Sequence, residues 1–345
     1  MASNTLAVRR VTMNEVAKLA NVSIQTVSAV INEKPGITQH TRLRVREAIA
    51  QLDYHPNFLA SSLRAQRSLT IGVLIPSITN PFFPEFVRGI EDVAQKRGYT
   101  LFLCNSDDDE QKEISYIQLL RRHRIAGLIA AFQPRKPEGK NLLKNLVSHH
   151  VPVVLMGSHR PDPKVVSLTV DDVQGTFLAT SHLLDLGHRR IGMITPPTGS
   201  DVEANRVAGF LRAHKARGFK VDRTLLVPGG FDVSDGQRGA VELMRLPQPP
   251  AAIVAANDLV AIGALKALRH LNKRVPEDVA VVGYDNISMA ELFNPPITTI
   301  AQPLYRMGES AMEALLARIN EPDLDGEVIR FETELLIRAS SIGNV

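Results

Sequence analysis

The side chains best placed to do chemistry in this chain are hydrogen-bonding groups rather than nucleophiles. Near the start, TMNEVAKLANVSIQTVSAVIN carries Thr12, Ser23, Gln25, Thr26, Ser28 and Asn32, and Thr38 and Thr41 follow. Hydroxyls and amides of this kind cap helices or bind polar partners without reacting. Covalent chemistry has little support. There is no GxGxxG after the opening strand, no GxxxxGK[ST] phosphate loop and no GxSxG elbow. Asp107, Asp108 and Asp109 follow a strand and read as turn and cap residues. His149, His150 and His188 lack the spacing and partners of metal ligands and read as surface residues. Cys104 is the single cysteine, in the apolar run TLFLCN. It excludes an intramolecular disulfide and a cysteine-based zinc finger, and we expect it in the core. No catalytic residue, metal site or cofactor is assigned.

The elements that hold the first group can be read locally. Thr12 and Glu15 have the spacing of a capping box that opens a helix, with Val16, Leu19 and Ala20 on one face. Ala20, Asn21 and Val22 form a turn, since asparagine tolerates the left-handed conformation. Ser23 caps a second helix. There Val27, Val30 and Ile31 recur on one side and leave Ile24, Gln25, Ser28 and Ala29 free to meet a groove. Charge supports such a role. Residues 1–66 hold eight Lys/Arg (Arg9, Arg10, Lys18, Lys34, Arg42, Arg44, Arg46, Arg64) against Glu15, Glu33, Glu47 and Asp53, a net of +4, which equals the net charge of the whole 345-residue chain. The remainder is neutral. A basic head on a neutral body suits a nucleic-acid reader with a second task. A solvated helical face that happens to be basic is the competing explanation of the charge alone.

A length of 345 residues, 44% hydrophobic and 22% charged, allows two or three domains of an ordinary globular protein. Apolar runs are strand-length, and MASNTLAVRR lacks the apolar stretch of a secretory signal, so we expect a cytoplasmic protein with no membrane span. After Pro56 and a polar linker, the texture changes. Strand-like runs TIGVLIP, YTLFLCN, AGLIAAF and VPVVLMG alternate with helices near 82–97, 111–123 and 139–149. RIGMITP, AAIVAAN and VAVVGYD follow, with helices near 203–217 and 258–271. This alternation predicts parallel βαβ units in two similar lobes with a cleft between the carboxyl ends of their strands.

Taken in order, that head, YHPNFLASSLR, IGVLIPSITNPFF, HLLDLGHRRIGMI, AANDLVAIGALKAL, and VAVVGYDN followed by PPITTI resemble the LacI/GalR family of bacterial repressors. The resemblance spans nearly the whole chain. It implies an α/β protein with an all-α helix-turn-helix head and hinge helix over residues 1–66, then a two-lobed periplasmic-binding-protein-like core of parallel sheets over 67–345. It also implies a homodimer on a pseudo-palindromic double-stranded DNA operator, with a small-molecule effector in the cleft that changes its grip. RASSIGNV carries no leucine heptad, so dimer is the expected assembly rather than a tail-mediated tetramer.

Within that resemblance, Ile24 and Gln25 occupy the base-reading positions. Gln25 can pair bidentately with adenine and Ile24 can touch a thymine methyl. Ala29 departs from the arginine many relatives carry, which removes a guanine contact. Thr12, Ser23, Thr26, Ser28, Asn32, Thr38 and Thr41 are placed to hold phosphates; for Thr12, Ser23 and Thr38 helix capping is the alternative role. Residues from Pro56 to Arg64, including Asn57, match the hinge that folds on the operator's minor groove. Ala60 approaches the groove floor and Leu63 matches the wedge that unstacks the central base pairs, unless it simply packs on the core.

For the effector the resemblance points to Phe82 and Phe83 as cleft aromatics, with a core plug as their alternative. Arg206, Asp285, Asn257 and Phe231 complete the set. Acid, amide and arginine beneath aromatic walls suit a sugar or sugar derivative, with a purine or nucleoside as the competing class. Gly157 and Ser158 replace a ligand-binding aspartate and its neighbour, and Val202 replaces a polar residue. An enzyme is disfavoured by the missing motifs. A secreted sugar-binding protein would explain the core but not the basic two-helix head.

Overall fold

The computed structural model describes residues 11–54, 68–131, 137–157 and 163–342. Pro56, Asn57, Ala60, Leu63 and Arg64 of the expected hinge, and Ser158, lie outside the described residues. The chain divides into two compact units, Met1–Ser68 and Leu69–Val345.

In the first unit, α1 (Met13–Leu19), α2 (Ile24–Ile31) and α3 (Gln39–Gln51) enclose a core of Val16, Ala17, Ala20, Val27, Val30, Val45, Ala48 and Tyr54. The Thr12 amide donates to the Glu15 carboxylate at 2.8 Å, closing the capping box, and Asn21 takes the turn with φ 49°. One expectation is corrected. Leu19 is 45% exposed and Ala17 takes its place in the core. At about 100° per residue, 16, 17 and 20 share one arc of about 100°, and 19 falls about 60° beyond its edge.

The second unit contains two six-stranded sheets. The first runs β11 (Val328–Phe331), β5 (Val166–Val170), β4 (Val153–Met156), β3 (Gly127–Ala130), β1 (Thr70–Ile75), β2 (Thr100–Asn105) and is wholly parallel. The second runs β12 (Glu334–Leu336), β10 (Thr298–Ala301), β9 (Ala280–Asp285), β8 (Ala252–Ala255), β6 (Ile191–Ile194), β7 (Leu226–Val227). It is parallel except at β12, which pairs antiparallel with β10, against the expectation of parallel strands alone. Around the first sheet lie α4 (Phe82–Lys96), α5 (Glu110–Arg122), α6 (Pro137–Ser148) and α12 (Leu304–Asn320). The second is covered by α7 (Asp172–Asp185), α8 (Asp201–Ala216), α9 (Val233–Met244), α10 (Asp258–His270), and the short α11 (Ser288–Leu292) and α13 (Ala339–Ile342). Asp109 caps α5 through the amides of Gln111 and Lys112, Asp107 and Asp108 take positive φ, and Cys104 is buried, all as the sequence reading has them.

The lobes are not consecutive halves of the chain. The path crosses from the first sheet to the second between β5 and α7, returns between β10 and α12, and crosses again between β11 and β12. On its return α12 packs against α4 at helix-backbone distance. A Cβ on Gly308 would stand 2.0 Å from the Phe86 carbonyl oxygen, and one on Gly89 would stand 2.1 Å from that of Tyr305. Only glycine permits this approach.

Candidate functional site

Two sites follow from the two units. In the head, Ser23 accepts the Thr26 amide at 3.1 Å, and the two hydroxyls lie 2.9 Å apart at the start of α2. Thr38 and Thr41 repeat this arrangement at α3. Capping is therefore an observed role for Thr12, Ser23 and Thr38. Each cap leaves its helix's N-terminal dipole facing outward, where a phosphate is favoured. Ile24 is 43% exposed and Gln25 is exposed beside it on the first turn of α2; Ser28 and Ala29 are half-buried one turn on. Asn32 donates its amide to the Ser28 carbonyl at 2.7 Å and closes the helix end. Two of the counted cations have structural duties. Arg44 donates to the carbonyls of Ala20 and Asn21, bracing the inter-helix turn from α3, and Arg42 donates to those of Ile37 and Lys34. Side-chain reach across 24 residues is not visible in a linear charge count.

In the core, side chains gather where strands end. Phe82, after β1, packs against the hydrophobic cores of both lobes, and Phe83 meets it edge-on at 4.9 Å. Phe82 thus sits where the carboxyl ends of the two sheets approach each other. Phe86, one turn later, is fully buried in the core of the first lobe. Arg206, on α8, is 5% exposed. Its Nε donates to Asp172 Oδ1 at 2.9 Å, its Nη1 to the Ala256 carbonyl, and its guanidinium lies 3.6 Å from the centre of the Tyr284 ring. Burial opposes its charge, but Asp172, Tyr284 and Asp285 outweigh that and raise its pKa.

Asp285 ends β9 with φ 107°, and Asn286 follows at 57°. A non-glycine residue held there costs about 1–3 kcal/mol, so the surroundings must hold the turn. Asp258, the first residue of α10, supplies that hold: its carboxylate accepts the Ile287 amide at 2.9 Å and the Thr299 hydroxyl at 2.6 Å. Asp285 Oδ1 accepts from Gln302 Nε2 at 2.8 Å. Burial pushes Asp258 up to about 7 and Asp285 up to about 8. Burial first and Asp172 next hold the Tyr284 phenol well above its usual range.

Asn257 is engaged inward. Its Oδ1 accepts the Val260 amide at 2.9 Å, capping α10, and its Nδ2 donates to the Phe231 carbonyl at 3.0 Å, so it positions the Phe231 loop. Gly157 has φ 81°, a conformation that resists an aspartate, with open space where a Cβ would stand. The structure therefore brings Arg206, Asp285, Asn257 and Phe231 to one lobe and Phe82 against it, with Phe83 alongside. Sequence reading missed Asp172, Asp258, Tyr284 and Gln302. Acids preceding helices at VDD and AND were the available signal for the first two; Gln302, in the crossing between β10 and α12, had none. No group of residues that could hold a metal occurs among the described residues.

Residues 12–57 match the family model described as bacterial regulatory proteins, lacI family, and residues 180–341 match that of a periplasmic binding protein-like domain. The HTH-type transcriptional repressor PurR of Aliivibrio fischeri (strain MJ11) is 34% identical, over 97% of this chain and 99% of its own. A solved complex of the transcriptional regulator CelR with cellobiose is 32% identical at a TM-score of 0.71, over 96% of this chain and 100% of its own. The lac repressor dimer bound to operator and the anti-inducer ONPF is 26% identical at a TM-score of 0.87, over 97% of this chain and 100% of its own.

Proposed function

Because the chain belongs to the lacI family of bacterial regulatory proteins, we propose that it is a cytoplasmic, non-enzymatic repressor that binds a pseudo-palindromic operator as a homodimer and changes its grip when a small molecule occupies the core. The observation that carries this reading is α2: its first turn presents Ile24 and Gln25 outward on a capped, braced helix, with hydroxyls at the same end. Gln25 reads adenine and Ile24 a thymine methyl, while Thr26, Ser28, Asn32 and the cap hydroxyls meet phosphates. Residues 1–66 form the DNA-reading head and hinge, and 67–345 the effector and dimerisation core. In the hinge, Leu63 acts as the wedge, with Asn57 and Ala60 in the groove.

The effector is a sugar or sugar derivative, as in the cellobiose complex of the similar regulator. Phe82 and Phe83 cover its ring, and Arg206 and Asp285 meet its hydroxyls. The ligand acts by preferring one arrangement of the lobes, so its effect on DNA equals its differential binding free energy. The test is selection of bound sites from random duplex DNA, followed by titration of the recovered site with sugars, purines and nucleosides. A palindrome whose affinity moves with a sugar supports the reading. Movement with a purine or nucleoside alone replaces the ligand class; salt-sensitive binding without sequence preference defeats the repressor assignment.

A further inference from the structure

We propose that Asp172 sets the charge class of the effector: by neutralising Arg206 it reserves the cleft for uncharged, donor-rich molecules and excludes phosphorylated or carboxylated ones. The inference rests on the effector reading above and adds to it a rule of selection.

The geometry is specific. A guanidinium grips an anion through two neighbouring N–H groups, either Nε with Nη2 or Nη1 with Nη2. In Arg206, Asp172 takes Nε and the Ala256 carbonyl takes Nη1, while Tyr284 covers a face at 3.6 Å. The Nε–Nη2 fork has therefore lost its Nε prong to Asp172 and one Nη1 N–H is spent on Ala256, while Nη2 keeps its N–H groups for uncharged acceptors. With its charge already countered by the buried Asp172, Arg206 suits a hydroxyl or carbonyl oxygen better than a phosphate or carboxylate.

Charge points the same way. Asp172, Asp258 and Asp285 are all buried, and among them Arg206 is the fully buried cation; the half-exposed Arg338 adds a weaker field at Asp258. An incoming anion would enter a buried region whose guanidinium is already neutralised by Asp172, without a free cation to offset the loss of its water. A neutral donor meets the opposite situation. Asp285 Oδ1 accepts from Gln302, and its carboxyl, lifted to about 8 by burial, can both donate to and accept from a neutral hydroxyl. Burial has lifted Asp258 and Asp285 to about 7 and about 8, so further negative charge is already resisted there. Asp172 is also well anchored, as the first residue of α7 directly after the first crossing between lobes.

The experiment uses the full-length protein and calorimetric titration with matched pairs: ribose against ribose 5-phosphate, adenosine against its 5′-monophosphate, cellobiose alone, and inorganic phosphate. In the wild-type protein no anionic probe should bind more tightly than its neutral partner. Asp172→Asn keeps an oxygen for Nε and removes the charge, so affinity for ribose 5-phosphate or phosphate should rise by about tenfold or more, and adding Arg206→Gln should abolish the gain. Wild-type binding of ribose 5-phosphate at least as tight as that of ribose would overturn the proposal without recourse to any variant. So would an Asp172→Asn protein, folded by circular dichroism, whose anion affinity is unchanged. Neutral-probe binding that Asp285→Asn leaves untouched would instead show that the effector reading itself has failed.

Discussion

Gln25 stands exposed on the first turn of α2, and its amide offers one donor and one acceptor at the spacing of an adenine edge. Replacing it with alanine should cost about 1–3 kcal/mol of specific operator affinity and leave binding to unrelated DNA nearly unchanged, measured by competition titration. Inside the core the informative residues are acids that hold protons unusually well. Asp258 and Asp285 are pushed from 3.8 up to about 7 and about 8. The folded chain therefore binds more protons than the unfolded chain across that window, and stability should fall as pH rises from about 4 to about 8. Melting temperature followed against pH checks the sign. Asp258→Asn should flatten part of the slope, because its amide cannot ionise; an unchanged slope would remove Asp258 as its source.

Elements are held by contacts that join distant segments. Arg44 reaches from α3 to the carbonyls of Ala20 and Asn21, so Arg44→Ala should destabilise the head by about 1–3 kcal/mol through unsatisfied backbone acceptors, read by hydrogen exchange of α1 and α2. An effect confined to DNA affinity would show that its charge matters more than its bracing. Between α4 and α12, Gly308 lies where a methyl would meet the Phe86 carbonyl. Gly308→Ala should force the helices apart and lower stability by about 1–3 kcal/mol in chemical denaturation, while Ala311, next along the buried face, already fills its space. The helix pair also explains why one lobe contains segments from both ends of the core: α12 returns to cover the sheet that α4 began.

At the scale of the molecule, the net +4 of residues 1–66 equals that of the entire chain, so the two tasks carry different electrostatics. Operator affinity should fall at least about tenfold between 50 and 200 mM salt, while affinity of the core for a neutral ligand stays nearly constant, because only the former releases condensed counterions. Equal salt sensitivity in both titrations would show that the charge is not partitioned by function. Two of the crossings between the lobes lie beside the proposed effector contacts. Asp172 follows the first and Gln302 lies in the second, and each is bonded to a proposed effector contact, Arg206 or Asp285.

Much of this was present in the linear chain. The capping box at Thr12, the Asn21 turn, the cap at Ser23, the outward Ile24 and Gln25, and the alternating strands and helices all depend on neighbours within about one or two turns, where periodicity and local hydrogen bonding decide conformation. The sequence also pointed to Arg206 and Asp285 through their motifs. What only the tertiary structure decided depends on residues far apart in the chain. β12 pairs antiparallel because the third crossing delivers it from the other lobe, and Asn257 turns inward to a carbonyl 26 positions away. The pairing of Asp172 with Arg206 is the clearest case. Thirty-four positions separate them, and nothing local distinguishes a buried acid that neutralises an arginine from a solvated cap; folding two helices together brings them within 2.9 Å and removes the water that would otherwise separate their charges.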